Sequence, residues 1–278
     1  MESNVDSLAR SVTANLELCL LFKTIGLRQQ RVKETRELAA RICTLEKRGK
    51  VYILTLVGDN EEDEHRLNPT SFDAIANALK EVEQSPDAAA LVTTNAGKYF
   101  SCGIDMNWIG ESPHDRMDVV LEKLENMLAS FMRLNVPTVA AIRGRAVSGA
   151  YMLALAHDYR FMTQGSGELY MCELDLGLPI PKSMLTLIRS KLQPATLRDV
   201  VLRASELDAQ MAFEKGIVDG VFEDKAGTLE GAVKEAEKLA ARGWEREIYR
   251  GFRLATFPGV AEALDINVPY RVPASFKF

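Results

Sequence analysis

Apolar and polar positions change their period along the chain, and the changes mark the elements. Val51-Tyr52-Ile53-Leu54-Thr55-Leu56-Val57 is an unbroken run of apolar and β-branched residues, the pattern of a strand buried on both faces. Gly58 to His65 is polar and reads as a loop. From Ser71 to Val82 the period lengthens, with Phe72, Ile75, Ala76 and Leu79 on one helical stripe. Ala88 to Thr93 predicts a second buried strand. Met117 to Leu134 predicts a long amphipathic helix closed by Pro137. Thr138 to Ile142 reads as a third strand, Ser148 to His157 as an apolar helix, and Tyr159 to Met162 as a fourth strand.

Strand and helix alternate, which argues an α/β fold with a parallel sheet and right-handed crossovers. After Pro181 the pattern turns helical. Leu197 to Arg203, Ala209 to Lys215 and Leu229 to Arg242 predict helices, interrupted by a short strand from Ile217 to Phe222. The tail from Thr256, with Pro258, Pro269 and Pro273, has little periodicity. Residues 1–42 are polar and Arg-rich around a short apolar centre, and read as a mobile or helical extension. The expected organisation is an extension over 1–42, a core over 43–200, and a helical C-terminal region with its tail over 201–278.

Composition narrows the chemistry. The 278 residues are 47% hydrophobic and 26% charged, with a net charge of −5, so a general nucleic-acid surface, which needs a basic face, is not expected. No run is long enough and apolar enough to span a bilayer. The four cysteines and three histidines are scattered without metal-ligand spacing, so no metal is expected and the thiols are expected to be free.

Three segments carry candidate chemistry. Tyr99-Phe100-Ser101-Cys102-Gly103-Ile104-Asp105 follows a strand and holds a glycine among small residues. Such a turn lets backbone N–H groups approach a ligand, and a plain tight turn has the same spacing. Ile142 to Tyr151 passes from a strand into a helix start rich in small residues, Ser148, Gly149 and Ala150. A helix start offers unpaired N–H groups and the positive dipole end; close helix packing also uses small residues. Leu169 to Pro179 sets Glu173 in an apolar run. Burial would raise its pKa and strengthen it as a base toward carbon acids. Asp175, between Leu174 and Leu176, is an equal candidate for the inward carboxylate.

In order and surroundings the three segments resemble the crotonase (enoyl-CoA hydratase/isomerase) superfamily, and within it the plant-type Δ3,Δ2-enoyl-CoA isomerases. The likeness covers about residues 43–255. It rests also on Cys43 to Gly49, His65-Arg66-Leu67-Asn68-Pro69, Ala156-His157-Asp158-Tyr159, Leu169-Tyr170-Met171 and Gly177-Leu178-Pro179. The resemblance implies a crotonase-like spiral of ββα units with a helical C-terminal region. It implies an oxyanion hole made by the N–H groups of Ile104, next to Gly103, and of Gly149. The superfamily's hydratases use two glutamates; here the first falls on Met152 and the second on Glu173.

Hydration needs a second acid to handle water, whereas a 1,3 proton shift needs one base. The implied activity is therefore transfer of a 3-enoyl double bond to the 2-trans position of an acyl-CoA thioester, as in fatty-acid β-oxidation. Alternatives are other thioester enolate chemistry, hydration or decarboxylation, and a non-catalytic acyl-CoA-binding scaffold. Coenzyme A would enter as part of the substrate, with no further cofactor. Arg66, Ser101 and Cys102, with Gly103 beside them, are the implied neighbours of the coenzyme, and Met106, Trp108 and Met152 read as lining an apolar acyl pocket or the core. His157 and Asp158 read as packing or capping residues, and His65 as a solvated loop residue. The resemblance further implies homotrimers or hexamers. It suggests peroxisomes, although the last residues, Phe276-Lys277-Phe278, are unlike a Ser-Lys-Leu signal; the cytoplasm is the alternative.

Overall fold

The structure, a computed structural model, describes residues 42–58 and 64–266. The chain divides into Met1–Ala40 and Arg41–Phe278, and every described residue belongs to the second unit. The expected N-terminal extension and the end of the tail lie outside the described residues.

Two sheets organise the core. The larger is six-stranded, built from β1 (Cys43–Arg48), β2 (Val51–Leu56), β3 (Ala90–Asn95), β5 (Thr138–Ile142), β7 (Tyr159–Thr163) and β9 (Gly220–Phe222), in the order β1-β2-β3-β5-β7-β9. All neighbours are parallel except β1 and β2. The predicted strands are present within two or three residues of their expected ends. β1 was not expected as a strand, because Glu46, Lys47 and Arg48 break its apolar pattern. It is the sheet's edge, where charges are tolerated and deter further pairing, and it folds back through Gly49 (φ 61°) onto β2.

The smaller sheet is three-stranded and parallel, β4 (Tyr99–Ser101), β6 (Arg145–Val147) and β8 (Leu169–Tyr170), in the order β4-β6-β8. The chain visits the two sheets alternately: β3 then β4, β5 then β6, β7 then β8. Each pair is followed by helix: α2 (Met106–Gly110) and α3 (Pro113–Arg133), then α4 (Gly149–Ala156), then α5 (Lys182–Lys191). This repetition is the expected winding of ββα units.

One face of the large sheet is closed by α8 (Lys225–Ala240). Its Ala232, Val233, Ala236 and Leu239 pack on Val51, Ile53, Ala90, Val92, Val139 and Ala141. α1 (Pro69–Gln84) starts at Asn68, whose side chain caps the Ser71 N–H at 3.1 Å while Ser71 Oγ accepts from the Asn68 N–H. Its buried stripe runs through Phe72, Ala74, Ile75, Ala78, Leu79 and Val82. Ala76, expected on that stripe, is exposed, since the inward face is centred one residue away. Every residue of α4 is buried, as an all-apolar helix requires.

The C-terminal region continues through α6 (Pro194–Leu202), α7 (Ala209–Glu214), α9 (Arg246–Thr256) and α10 (Pro258–Ala263). The expected irregular tail is thus helical up to Ala263. Pro258 occupies the first turn of α10, where its missing N–H costs nothing. α9 is tied to the core by Arg253. Its guanidinium grips Asp158 through Nε to Oδ1 at 2.7 Å and through Nη2 to Oδ2 at 2.5 Å, and also donates to the Leu134 and Val136 carbonyls.

Candidate active site

The small sheet positions the chemistry. Because β4, β6 and β8 are parallel, the segments that leave their C-terminal ends emerge on one edge. Those segments are Cys102–Asp105, Ser148–Gly149 and Met171–Leu178, the three picked out in the sequence. The open edge beyond parallel strands is where α/β sheets hold ligands.

The first two turns touch. Gly103 has φ 79°, and a Cβ there would lie 2.6 Å from the Val147 carbonyl oxygen, so no side chain fits. Leu67 brackets the turn: its N–H donates to the Gly103 carbonyl at 2.7 Å, and its carbonyl accepts from the Asp105 N–H at 2.9 Å. In this parallel bridge both bonds come from the residues flanking Ile104. The Ile104 N–H therefore faces away from Leu67. Gly149 is the first residue of α4, and an N–H there has no intrahelical partner. Among the described residues neither N–H donates to a backbone carbonyl. Two such amides suit an oxygen that gains negative charge.

Ser148, between β6 and α4, has φ 55° and ψ −121°, a region that costs a residue with a Cβ about 1–3 kcal/mol. Its hydroxyl donates to Glu173 Oε1 at 2.6 Å. Glu173 is 7% exposed, and its Oε2 is buried with no hydrogen-bond partner among the described residues. Burial raises its pKa above the usual carboxylate value, and the bond from Ser148 opposes the rise. Asp175, the alternative inward acid, is exposed and accepts from the Tyr170 hydroxyl at 2.5 Å. The turn after Glu173 is closed by the Leu178 N–H on the Glu173 carbonyl at 2.8 Å.

Ile104, Ser148 and Glu173 border a cavity of about 300 Å³; Gly149 is not among its lining residues and packs against Leu67 and Leu124 just behind Ser148. Of the residues expected at the site, Arg66, Cys102, Ile104, Met106, Met152 and Glu173 line it. Ser101 does not: it is fully buried, and its hydroxyl donates to the His65 carbonyl at 3.0 Å. Gly103 is buried behind the turn. Trp108 is also outside the lining; its ring lies under the Arg116 guanidinium at 4.6 Å. The apolar wall comes instead from Met117, Leu121 and Leu124 on α3 and from Leu176, Leu178, Ile180 and Met184. Met117, Leu121 and Leu124 are spaced like an ordinary core stripe, so spacing alone did not separate them from packing residues. Arg66 lines the cavity while its guanidinium pairs with Glu64 at 2.5 Å.

His65, expected in solvent, is 1% exposed with neither ring nitrogen hydrogen-bonded among the described residues. Its place beneath the first turn buries it: its carbonyl takes the Cys102 N–H at 2.8 Å, and burial lowers its pKa to about 4. His157 packs as expected, with Nε2 2.7 Å from Thr93 Oγ1 and Nδ1 2.9 Å from the Leu153 carbonyl. Cys43, Cys102 and Cys172 are free thiols, and burial pushes each up to about 11.

Comparison with known proteins agrees with this geometry. The enoyl-CoA hydratase/isomerase family profile matches residues 49–248. The chain is 37% identical to enoyl-CoA delta isomerase 3 of Arabidopsis thaliana, across 81% of this chain and 96% of that protein. It is 38% identical to enoyl-CoA delta isomerase 1, peroxisomal, of the same plant, across 76% of this chain and 88% of that protein. Among solved structures, an enoyl-CoA hydratase/isomerase family protein from Pseudomonas syringae superposes with a TM-score of 0.74 at 20% identity, covering 82% of this chain and 95% of that one. With the profile matched over most of its length, and the two sheets and three edge turns in place, this chain belongs to the enoyl-CoA hydratase/isomerase (crotonase) family.

Proposed function

We propose that the protein is a Δ3,Δ2-enoyl-CoA isomerase that works with one acid. The observation that carries this reading is that, among the described residues, Glu173 is the one carboxylate lining the cavity, with the thioether of Met152 beside it there. Hydration needs a group to position and deprotonate water in addition to the acid that protonates carbon. Met152 supplies neither function, whereas a double-bond shift asks for one base alone. The names of the Arabidopsis relatives support the same reaction.

In the proposed route the thioester oxygen of a 3-enoyl-CoA accepts from the N–H groups of Ile104 and Gly149. Glu173 Oε2 takes a proton from C2. The C2–H electron pair moves into the conjugated enolate, whose charge rests on the thioester oxygen. The same carboxyl returns the proton to C4. C3=C4 is lost and C2=C3 is gained, so protons and electrons balance within the substrate and the chain. No redox or metal chemistry is asked for, and coenzyme A arrives with the substrate. Losing one oxyanion donor would cost about 10²–10³ in turnover.

The apolar wall between α3 and Met184 suits the acyl chain, and the lining residues Arg66 and Cys102 suit the coenzyme end. The raised pKa of Glu173 brings the base closer to working pH. The test is conversion of a 3-enoyl-CoA to the conjugated 2-enoyl product by wild type and Glu173→Gln. The reading expects loss of nearly all turnover in the variant; equal rates would remove it. The labels of two relatives support a peroxisomal setting, checked by imaging a fluorescent fusion. A trimeric or hexameric state is checked by light scattering.

A further inference from the structure

Ser148 stands where the backbone favours glycine. Its φ of 55° and ψ of −121° suit a residue without a Cβ. Its main-chain bonds do not call for serine. The N–H donates to the Tyr170 carbonyl at 2.8 Å, and the carbonyl accepts from Tyr151 and Met152 at 2.9 and 3.1 Å; glycine would make all three. What glycine lacks is Oγ, and Oγ spends its hydrogen on Glu173 Oε1 at 2.6 Å. The other carboxylate oxygen, Oε2, has no hydrogen-bond partner among the described residues. The two oxygens of the acid are therefore unequal.

We propose that Ser148 is a positioning residue that pins Oε1 of Glu173 and so dedicates Oε2 to carrying the proton. The proposal rests on the isomerase reading and deepens it. A proton shuttle between C2 and C4 must present one oxygen to two carbons without the carboxyl turning over between the steps. An O–H to carboxylate bond of this length is charge-assisted and among the stronger hydrogen bonds. It survives both steps, because Oε1 accepts from Ser148 whether Oε2 is bare or protonated. It also favours the ionised acid between turnovers, against the burial that opposes it. Ser148 directly precedes Gly149, so one turn sets both the acid and an oxyanion amide.

The test compares Ser148→Gly and Ser148→Ala with wild type. It measures kcat and KM for a 3-enoyl-CoA across pH, with thermal unfolding alongside. Both variants should lose roughly 10- to 100-fold in kcat, the scale of a small misplacement of a reacting group, with little change in KM. The acid limb of the kcat/KM profile should move to higher pH, because the ionised form of Glu173 has lost its donor. Ser148→Gly relieves the backbone but leaves the buried Oε1 without its donor, so its thermal unfolding is used to show that the variant is folded. Ser148→Thr, which keeps the hydroxyl, should keep the acid limb in place while unfolding at lower temperature. An acid limb that stays put in Ser148→Gly overturns the proposal whatever kcat does, because a role in packing alone would not move it. Glu173→Gln in the same assay separates the two claims. Inactive Glu173→Gln with unchanged Ser148→Gly sinks only the positioning role, and active Glu173→Gln sinks the isomerase reading itself.

Discussion

Two largely enclosed carboxylates, Asp158 and Glu173, have opposite surroundings. Asp158 accepts from both ends of the Arg253 fork, from the Thr138 N–H and hydroxyl, and from the Tyr249 hydroxyl. Burial alone would raise its pKa, but the Arg253 charge and hydrogen bonds outweigh burial and hold it down at about 2. Glu173 accepts from the Ser148 hydroxyl and from its own backbone N–H, with no paired cation among the described residues, and burial wins. Asp158 is a saturated joint between the sheet and the C-terminal helices. Glu173 lines the cavity and keeps one oxygen without a hydrogen-bond partner among the described residues. A buried polar atom without a partner costs free energy, so its persistence calls for a use, and proton transfer is one.

The comparison can be broken at its largest expected effect by Glu173→Gln. Turnover should fall by about 10²–10⁴ while the far-ultraviolet circular dichroism stays that of wild type. Stability near neutral pH should hold or rise. A carboxyl whose folded pKa is raised favours the folded state below its unfolded value, near 4.5, and loses that contribution as pH rises through its folded value. Glutamine removes the cost of the ionised form.

Arg253→Met should act in the opposite sense. It leaves Asp158 buried without its cation, and urea unfolding should report a loss of about 3–5 kcal/mol. The pH dependence of the wild type follows the same joint. A depressed carboxyl contributes stability that is fully present above its unfolded value, near 3.8, and is lost as pH falls toward about 2. Acid unfolding of the wild type should therefore steepen in that window, and Arg253→Met should flatten it.

Gly103→Ala should cost about 1–3 kcal/mol and lower turnover with it. The new Cβ meets the Val147 carbonyl and pushes apart the two turns that hold Ile104 and Gly149. Denaturant unfolding together with kcat checks both parts. The smallest effect is expected of Asp175→Asn. That acid lies in solvent on the Tyr170 hydroxyl, and steady-state turnover should stay within about twofold of wild type, as for most surface changes.

Much of the large sheet was legible because β2, β3, β5 and β7 are apolar runs bounded by polar residues. The small sheet was not. β4, β6 and β8 have two or three residues each, too few to display a period of two. The structure brings the three segments to one edge of the small sheet, and loops at strand ends carry their own composition of small residues. Which acid faces inward was not readable between Glu173 and Asp175. Both sit among leucines, and burial there is decided by how the turn after β8 folds under α4. Trp108 is apolar enough to suit a pocket wall, but it lies outside the lining with its ring under Arg116. His65 lies among polar neighbours and still packs inside, because its carbonyl is needed by Ser101 and Cys102.

The most direct measurement follows a label. A 3-enoyl-CoA carrying deuterium at C2 is converted in ordinary water, and the product is analysed at C4 by mass spectrometry and NMR. With Glu173 shielded from solvent and acting alone, part of the deuterium lost from C2 should be found at C4 in the earliest product. Product whose new C4 hydrogen comes wholly from water, even at the first turnovers, would contradict a single buried acid that carries the proton from one carbon to the other.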